Sequence, residues 1–581
     1  MPAGRAGMPF AKSRDCRRLT SSRGDQRTMP HSIRPSSLGS LVALLGLALP
    51  SAAFEISTGN PDVKLRWDNT VKYSLGARVK SADAELTSTP NPNFDDGDRN
   101  FDKGVISNRF DLLSEADLTY GNVGARVSAA AWYDSVYNGS TDNDSPFTYN
   151  AFSVDHRHFT EDTKKLHGRK GEILDAFLFA KGKVGESSYS VRAGQHALLW
   201  GESLFFGENG LVAGQSSRDI IKLLAVPNSQ VREFLRPIGQ VSGQLQLNPA
   251  VSIGAYVQYD WEADRLPASG SYLSRADLVG DGGERLIVGP PIAPGGGPAA
   301  FFRTKDLEPS GSGQGGVQLR WRNDAIDTDF GFYAIRYHDK SPQFYLRPSG
   351  GADPASGSIG TYQQVYHQGV KAFGVSATKT FGSVNLAGEI SVRRNTALVA
   401  NGGAAVVLPG QVADGDDHPL YPVGNSAHAQ VSAIHTLERA ALWDGGFLLG
   451  EIAWHRRTSI TKNAQNLDPN TTRDAVGLRV LFIPTWYQVL PGLELSAPIG
   501  LGYNPSGRSS VITQFNGGWS KGGDLSIGLS AIYLDTWKAS INYTTFLGSA
   551  GTILDPLTTS YTFKQSLKDR DFVTLSIQRT F

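Results

Sequence analysis

The chain ends in Asp571-Phe-Val-Thr-Leu-Ser-Ile-Gln-Arg-Thr-Phe581, in which apolar and polar side chains alternate from Val573 onward. In an extended strand, Val573, Leu575, Ile577 and Phe581 fall on one face, while hydroxyl and amide side chains fall on the other. The stretch is about long enough to cross a hydrocarbon layer at a tilt. It favours a barrel strand with lipid outside and water inside, although alternation alone also fits a sandwich strand.

The aromatic carboxyl terminus adds a second indication. Phe581, preceded by apolar residues at alternate positions, resembles the carboxyl-terminal signal by which outer-membrane proteins are recognised for assembly. The resemblance implies that Val573, Leu575, Ile577 and Phe581 form an assembly signal for the barrel assembly machinery. It also implies a location in the outer membrane of a Gram-negative bacterium, with outer-membrane lipid around the barrel.

Composition argues against a helical membrane protein. The 581 residues include 65 glycines, 20 tyrosines and 10 tryptophans, and the mean hydropathy is −0.25. After the amino terminus there is no apolar run of about eighteen residues, which a membrane-spanning helix requires. The single cysteine, Cys16, lies in the amino-terminal region, so the rest of the chain has no disulfides and no cysteine-based metal site.

Residues 1–53 read as a signal peptide, with the true start at Met29. An apolar segment from Leu38 to Leu49 is followed by small residues that suit signal peptidase, so we expect cleavage between Ala53 and Phe54. Removing these residues takes away 8 Lys/Arg and 2 Asp/Glu from totals of 56 and 55, which leaves 48 basic against 53 acidic residues. A formal charge of −5 gives no reason to expect nucleic acid as a partner.

The rest of the chain, residues 54–581, repeats the alternating pattern between connections of two lengths. Long polar connections, such as residues 81–104 and 265–312, alternate with short turns, such as Asn248-Pro249 and Gly382-Ser383. Bacterial outer-membrane barrels have long extracellular loops and short periplasmic turns, whereas a sandwich has no reason to obey this order. The sequence therefore predicts an all-β transmembrane antiparallel barrel of about eighteen strands, with sixteen as the alternative.

Strand parity predicts which charged side chains face the lumen, because a charge facing lipid at the midplane would cost about 2–4 kcal/mol. We predict that these charges line a transport path: Arg66, Arg126, Arg192, Asp260, Arg320, Arg336, Glu389, Arg393, Glu451 and Arg457. One interpretation is an aqueous path with a transverse field. The other is that the charges pair with each other and brace a closed lumen.

Two segments depart from the strand pattern. Residues 218–235 show helical spacing interrupted at Pro227, which predicts two short helices in an extracellular loop that constrict the mouth, fold inward or cap the rim. Asp155-His156-Arg157-His158, with His167 nearby, suggests a metal or catalytic site, but no ligand spacing or nucleophile motif accompanies it. We interpret that segment as a solvated loop, and predict no enzyme activity, cofactor or metal.

Four segments carry a resemblance to a known family. These are residues 54–73, Gly194-Gln195, Trp200-Gly-Glu-Ser203 and Asp569-Arg-Asp-Phe-Val573. They look like the bacterial domain-of-unknown-function 1302 family, over nearly the whole mature chain. The resemblance implies an outer-membrane protein, often encoded beside an envelope lipoprotein and a resistance-nodulation-division transporter, in settings linked to hydrophobic or aromatic compounds. It implies no catalytic residues.

Two functions follow as hypotheses. The first is an outer-membrane channel or transporter for small solutes, with hydrophobic or aromatic compounds as the expected class. The second is a non-conducting structural or assembly partner of an envelope lipoprotein or exporter system, in which the mixed charges pack the lumen shut. Unpaired lumen arginines would favour the first hypothesis, whereas fully paired arginines and helices inside the barrel would favour the second.

Overall fold

A computed structural model describes residues 54–87, 92–226 and 234–581. The predicted signal peptide, including Ala53 and the start at Met29, lies outside the described residues. So do residues 227–233, on which most of the second predicted helix falls. Among the helices in the described part of the chain, none has the length and apolar character needed to span a bilayer.

The main sheet is a closed antiparallel barrel of eighteen strands, as predicted. In chain order, β1 to β18 are Val63–Arg78, Gly104–Tyr120, Val123–Asp134, Arg169–Val184, Ser187–His196, Ile238–Asn248, Val251–Gln258, Gln314–Asn323, Thr328–Tyr337, Val370–Phe381, Val384–Ala397, Val423–Leu437, Gly445–Lys462, Asp474–Leu490, the interrupted pair Leu493–Ser496 and Ile499–Gly507, Gly523–Tyr533, Trp537–Leu547 and Phe572–Thr580. Each strand pairs with its sequence neighbours. β18 closes the barrel on β1, with Ser576 opposite Ser74.

Strand parity separates lipid from lumen, as the last strand illustrates. Leu575 and Ile577 are exposed on the outer face, whereas Thr574, Ser576 and Gln578 point inward and are buried. Outer-face residues on other strands are exposed in the same way, including Leu112, Leu118, Val127, Ile173, Leu178, Ile390, Val431, Ile452, Leu529 and Ile541. Apolar side chains on the outside of a closed sheet form the surface that lipid requires.

The connections differ at the two ends of the barrel. At the end that holds Phe581 the strands are joined by short turns, such as the one at Leu534 and Asp535, where both residues have positive φ and a tight hairpin forms. At the other end the loops are long. They contain short helical segments at Ala84–Thr87, Asp96–Arg99, Glu161–Thr163, Lys164–Gly168, Leu211–Gly214, Ile220–Ala225, Asn401–Gly403, Ala464–Asn466 and Phe515–Gly517.

Further strands in these loops cover the long-loop end. A five-stranded sheet consists of Arg285–Pro291, Pro298–Arg303, Ser358–Val365, Gln343–Pro348 and Ala405–Val406, and a short ribbon pairs Ser217–Arg218 with Leu235–Arg236. At the opposite end, Phe54–Ile56 pairs with β1 beside the last strand. The molecule therefore has a capped end and an end with only short turns.

Candidate transport path through the barrel

The loop that follows β5 folds into the lumen. We call residues 197–226 the inward loop. Its Trp200 and Leu211 are buried against the lumen-facing Tyr256 of β7 and Tyr333 of β9, in one apolar cluster. Burial of two large apolar side chains in this cluster contributes about 1.5–3 kcal/mol each toward holding the loop in place.

Two buried carboxylates bind the backbone of the inward loop. Glu389 of β11 accepts hydrogen bonds from the amides of Glu202, at 2.9 Å, and Leu211, at 2.7 Å. Glu451 of β13 accepts from the amides of Leu204, Phe205 and Phe206. Backbone amides that donate to a carboxylate stabilise its negative charge, and their own hydrogen-bonding groups are satisfied at the same time. These glutamates therefore anchor the loop.

Arg393, on the same strand as Glu389, binds the loop through its carbonyl groups. Its Nη2 donates to the carbonyl oxygens of Glu208, Asn209 and Gly210 at 2.8–2.9 Å. The side chain is 5% exposed. Because its guanidinium donates to backbone oxygens of the loop, Arg393 positions the loop and does not face the aqueous path.

Asn209 fixes the tip of the loop between two histidines. Its amide nitrogen donates to Gln430 and to backbone carbonyls, so its Oδ1 is the acceptor for Nδ1 of His428, at 3.0 Å, and Nδ1 of His455, at 3.1 Å. Both imidazoles therefore carry hydrogen on Nδ1, and each Nε2 accepts from a serine hydroxyl. This network ties the loop to β12 and β13 with a defined orientation.

Gly201 allows the close approach of the loop to its anchor. Its φ of +94° is unfavourable for residues with a side chain, and a Cβ there would lie 2.1 Å from Oε2 of Glu389. No other residue fits both conditions, since positive φ favours glycine and the carboxylate already occupies the space. The Trp200-Gly-Glu-Ser203 segment is therefore shaped by this contact.

One ion pair links the inward loop to a further strand. Arg320 of β8 lies with Nη2 3.6 Å from Oε1 of Glu202, and the two side chains are 16% and 9% exposed. Burial raises the pKa of Glu202 to about 7, against the lowering effect of Arg320. The charge of this pair is consequently sensitive to pH near neutrality.

The lumen wall formed by β2 to β5 is different toward its short-turn end, because charged side chains there remain in contact with water, whereas Arg109, nearer the capped end of β2, is buried. Arg126 of β3 pairs with Glu115, with Asp117 at 2.7 Å and with Asp175 at 3.3 Å. The side chains of Arg126 and Asp117 are 22% and 31% exposed. Strands nine places apart in an eighteen-strand barrel lie opposite each other, so this open wall faces β11 to β14.

Arg192 and two phenylalanines extend the open wall. The guanidinium carbon of Arg192 lies 5.6 Å from the ring centroid of Phe177, within the range of a cation–π contact. Phe177 and Phe179 have centroids 6.4 Å apart and pair with the inward-facing Arg126 and Arg192. Gly124 leaves room for the Phe179 ring, because a Cβ there would lie 2.3 Å from it.

The other predicted lumen charges are scattered. Arg66 has lumen parity near the short-turn end, donates to Asp68 at 2.7 Å and is 52% exposed in its side chain. Arg457 has lumen parity near the capped end and donates to Ser510 at 3.1 Å. Asp260 lies just beyond the end of β7, where it is exposed and accepts from the amide of Trp261. These three do not join one cluster.

The lumen placement predicted for Arg336 is wrong. On β9 the buried, inward residues are Tyr333, Ile335 and Tyr337, so the exposed Arg336 has the outward parity of Phe332. The prediction failed because β9 places aromatic and aliphatic side chains inward, where they pack against the inward loop. Where the lumen face of a strand packs against a folded loop, its apolar side chains point inward. This is the opposite of the pattern expected for a strand that faces water inside the barrel.

Comparison with known proteins identifies the family. The model described as "Protein of unknown function (DUF1302)" matches residues 34–581. The chain belongs to this family. None of the curated proteins matches this member.

Solved outer-membrane barrels are similar to this DUF1302 chain at low identity. OccAB1 of Acinetobacter baumannii is 10% identical with a TM-score of 0.40, covering 91% of this chain and 98% of that one. OpdK of Pseudomonas aeruginosa is 10% identical with a TM-score of 0.38, covering 89% and 98%. The channel DcaP of Acinetobacter baumannii is 9% identical with a TM-score of 0.34, covering 91% and 100%.

The segment predicted to hold helices is partly helical. Ile220–Ala225 is a helix whose amino end is capped by the Asp219 side chain. Lys222 of this helix lies 4.9 Å from the ring centroid of the inward-facing Trp132, so the helix is folded inward. Residues 227–233 are outside the described part of the chain, and Leu235–Arg236 is a strand rather than a helix.

The histidine-rich segment does not form one site. His158 lies 2.9 Å from Asp155 on an exposed loop, whereas His167 is buried, stacks on Tyr137 and accepts from the amide of Ala268. The two histidines therefore have separate surroundings. This agrees with the interpretation of residues 155–158 as a solvated loop.

Sequence reasoning missed the partners on the inward loop. Glu202 and Asn209 were not predicted to contact lumen charges, because their partners are 118 or more residues away along the chain. Gly201, Gly207 and Gly210 offered the available signal, since closely spaced glycines permit close packing of backbone against other groups. Parity of Asp117 on β2 would also have placed that carboxylate beside Arg126.

Proposed function

We propose that the protein is an outer-membrane channel for small solutes, with the path along the open wall. The observation that supports this proposal is the asymmetry of the lumen. The inward loop is bound to β11 through β13, and its helix also covers Trp132 toward the capped end of β3. By contrast, Arg126, Asp117 and Arg192, nearer the short-turn end, contact water. A loop that narrows the lumen from one side leaves a charged aqueous path on the other, which is how channels combine selectivity with passage.

The open wall favours solutes with both an apolar ring and a negative charge. Phe177 and Phe179 have inward parity beside Arg126 and Arg192. An aromatic carboxylate would pair its ring with the phenylalanines and its charge with the arginines. This is consistent with the hydrophobic or aromatic compounds that the family resemblance implies.

The second candidate is a non-conducting partner of an envelope lipoprotein or exporter. The observation that favours it is that most lumen arginines are engaged: Arg126 with three carboxylates, Arg320 with Glu202 and Arg393 with backbone carbonyls. Loops also cover the long-loop end. In that case the mixed charges brace the lumen and the loops provide the binding surface.

Planar-bilayer recording separates the two candidates. For the channel, the parent protein conducts, and Arg320→Ala shifts ion selectivity toward cations while the heat-modifiable gel band persists. For the non-conducting partner, the parent protein shows no conductance and Arg320→Ala weakens the barrel. Solute flux into liposomes, measured for benzoate against the uncharged benzyl alcohol, then tests the substrate class, with benzoate expected to enter faster.

The location is tested separately from the path. We propose that the chain is exported by residues 1–53, is cut between Ala53 and Phe54, and is inserted by the barrel assembly machinery through the signal ending at Phe581. Amino-terminal sequencing of protein from the outer-membrane fraction should start at Phe54. Recovery from the soluble periplasm, or a start upstream of Leu38, would contradict this proposal.

A further inference from the structure

Three buried carboxylates meet at the long-loop end of the barrel. Asp95 and Asp96 belong to the loop after β1, and Asp277 belongs to the loop after β7. Each offers an oxygen within 4.8 Å of the oxygens of the other two. All three residues are 2% exposed, so the cluster is inside the loop assembly.

The carboxylates have fewer positive partners than their charge requires. Asp95 pairs with Arg99 at 2.6 Å, but in the described part of the chain no basic side chain lies within ion-pair distance of Asp96 or Asp277. The adjoining buried network pairs Asp98 and Asp569 with Arg78 and Arg570. Arg99 is also shared with the exposed Asp144, and Asp96 and Asp277 are left as two buried carboxylates without an ion-pair partner among the described residues, an excess of two negative charges.

Burial of these carboxylates is unfavourable without a further positive charge. Burial raises the pKa of Asp96 and Asp277, and the neighbouring carboxylates raise both further. Anions are not buried at close range without protons or a cation, because desolvation and mutual repulsion add. The excess equals the charge of one divalent cation.

Two buried side-chain oxygen atoms, one on Asp95 itself and one on Asn150, accept no hydrogen bond from the described residues. Oδ1 of Asp95 is buried and has no donor, although its other oxygen binds Arg99. Asn150, 1% exposed, binds Asp96 through its backbone amide at 3.0 Å, and its side-chain Oδ1 is also without a donor. Buried acceptors are normally satisfied, so both atoms indicate a missing positive partner.

We propose that Asp95, Asp96 and Asp277, with the side-chain oxygen of Asn150, form a calcium site. Calcium takes carboxylate and amide oxygens at about 2.3–2.6 Å, so ligands on opposite sides of one ion are about 4.6–5.2 Å apart, which suits this spread. Magnesium requires about 2.0–2.1 Å and a stricter geometry, so it fits less well. The chemistry therefore favours the larger ion.

The site would join three loops that are distant in the sequence. Asp95 and Asp96 lie between β1 and β2, Asn150 lies between β3 and β4, and Asp277 lies between β7 and β8. Existing bonds already bring these loops together, since the amide of Asp96 donates to Asp277 at 3.1 Å. A bound ion would hold the covered end of the barrel in one arrangement.

Calorimetric titration with calcium chloride tests the proposal on the full-length protein after chelator treatment. The parent should bind one ion per chain, with a dissociation constant on the order of 10⁻⁴ to 10⁻³ M, as in extracellular modules. Asp96→Asn and Asp277→Asn should each weaken binding at least about tenfold. Glu186→Gln, which removes an exposed charge from a turn at the opposite end, should leave it unchanged.

A second measurement tests the proposal even if the asparagine variants assemble poorly. Limited proteolysis of the parent and of Glu186→Gln should slow in the loops on addition of calcium, and magnesium at equal concentration should protect less. No binding heat in the parent, or no protection by calcium, would overturn the proposal. Equal affinity in the parent and both asparagine variants, with a heat-modifiable band showing that they are folded, would also overturn it.

Discussion

The two opposite walls of the lumen carry similar residues in different surroundings. On β11 and β13, Glu389 and Glu451 are 3% and 1% exposed and bind backbone amides of the inward loop. On β3 and β5, Arg126 and Arg192 have inward parity too, but they lie beside water. A charged residue with lumen parity is therefore structural on one wall and available to solutes on the other.

The comparison shows what the inward loop does to the barrel. Parity decides only that a side chain points away from lipid. Whether that side chain meets water depends on a loop from another part of the chain, and this loop covers one wall and, through Lys222, the capped-end part of the other. Substitutions on the covered wall should consequently reduce stability, whereas substitutions on the open wall should change ion selectivity.

The largest effect is expected for Glu451→Gln on the covered wall. The glutamine removes the charge that three amides share but keeps one acceptor oxygen, so we expect a loss of about 1–3 kcal/mol in stability. Release of the loop should also raise single-channel conductance. Urea titration of the heat-modifiable band measures the first effect, and bilayer recording measures the second. Unchanged stability together with unchanged conductance would show that the loop is not anchored there.

A smaller effect, on selectivity alone, is expected for Arg192→Gln on the open wall. Arg192 is exposed and packs over Phe177, so stability should change by less than about 0.5 kcal/mol. Loss of one positive charge in the path should shift the reversal potential toward cation selectivity. Lys371→Gln, at an exposed position with the outward parity of Phe373 on β10, is the matched control. A similar shift in both variants would place the effect outside the lumen.

The pH dependence of the path should come from Glu202. With a pKa of about 7 in the folded protein, its carboxyl gains a proton as the pH falls from 8 to 6. The path then becomes more positive, and anion selectivity should rise. Protonation is favoured below pH 7 because it removes a charge that is costly to bury. Glu202→Gln should abolish this step, whereas Arg192→Gln should retain it.

The smallest effect is expected for Arg336→Gln, which serves as a test of strand parity. Because Arg336 is exposed on the outward face of β9, its replacement should leave selectivity and conductance unchanged within error. The comparison is with Arg320→Ala on the adjacent strand, where selectivity should change. A selectivity shift for Arg336→Gln equal to that for Arg320→Ala would mean that the outward assignment is incorrect.

The barrel was predictable because its determinants are local. Leu575 and Ile577 alternate with Ser576 and Gln578 within a few residues, and the order of long and short connections follows directly along the chain. A β-strand has a period of two, so a single stretch reveals which side chains share a face. The failure at Arg336 occurred where the lumen side of β9 is apolar and packs on the inward loop.

What the sequence determined by itself is the membrane barrel, its strand parity and the polarity of its two ends, since these depend on side-chain alternation and loop length. Only the tertiary structure decided which lumen charges are covered. Glu389 meets Glu202 across 187 residues, and Asp96 meets Asp277 across 181. No local pattern encodes such pairs, because burial and electrostatic partners arise only when distant loops are brought together by closure of the barrel.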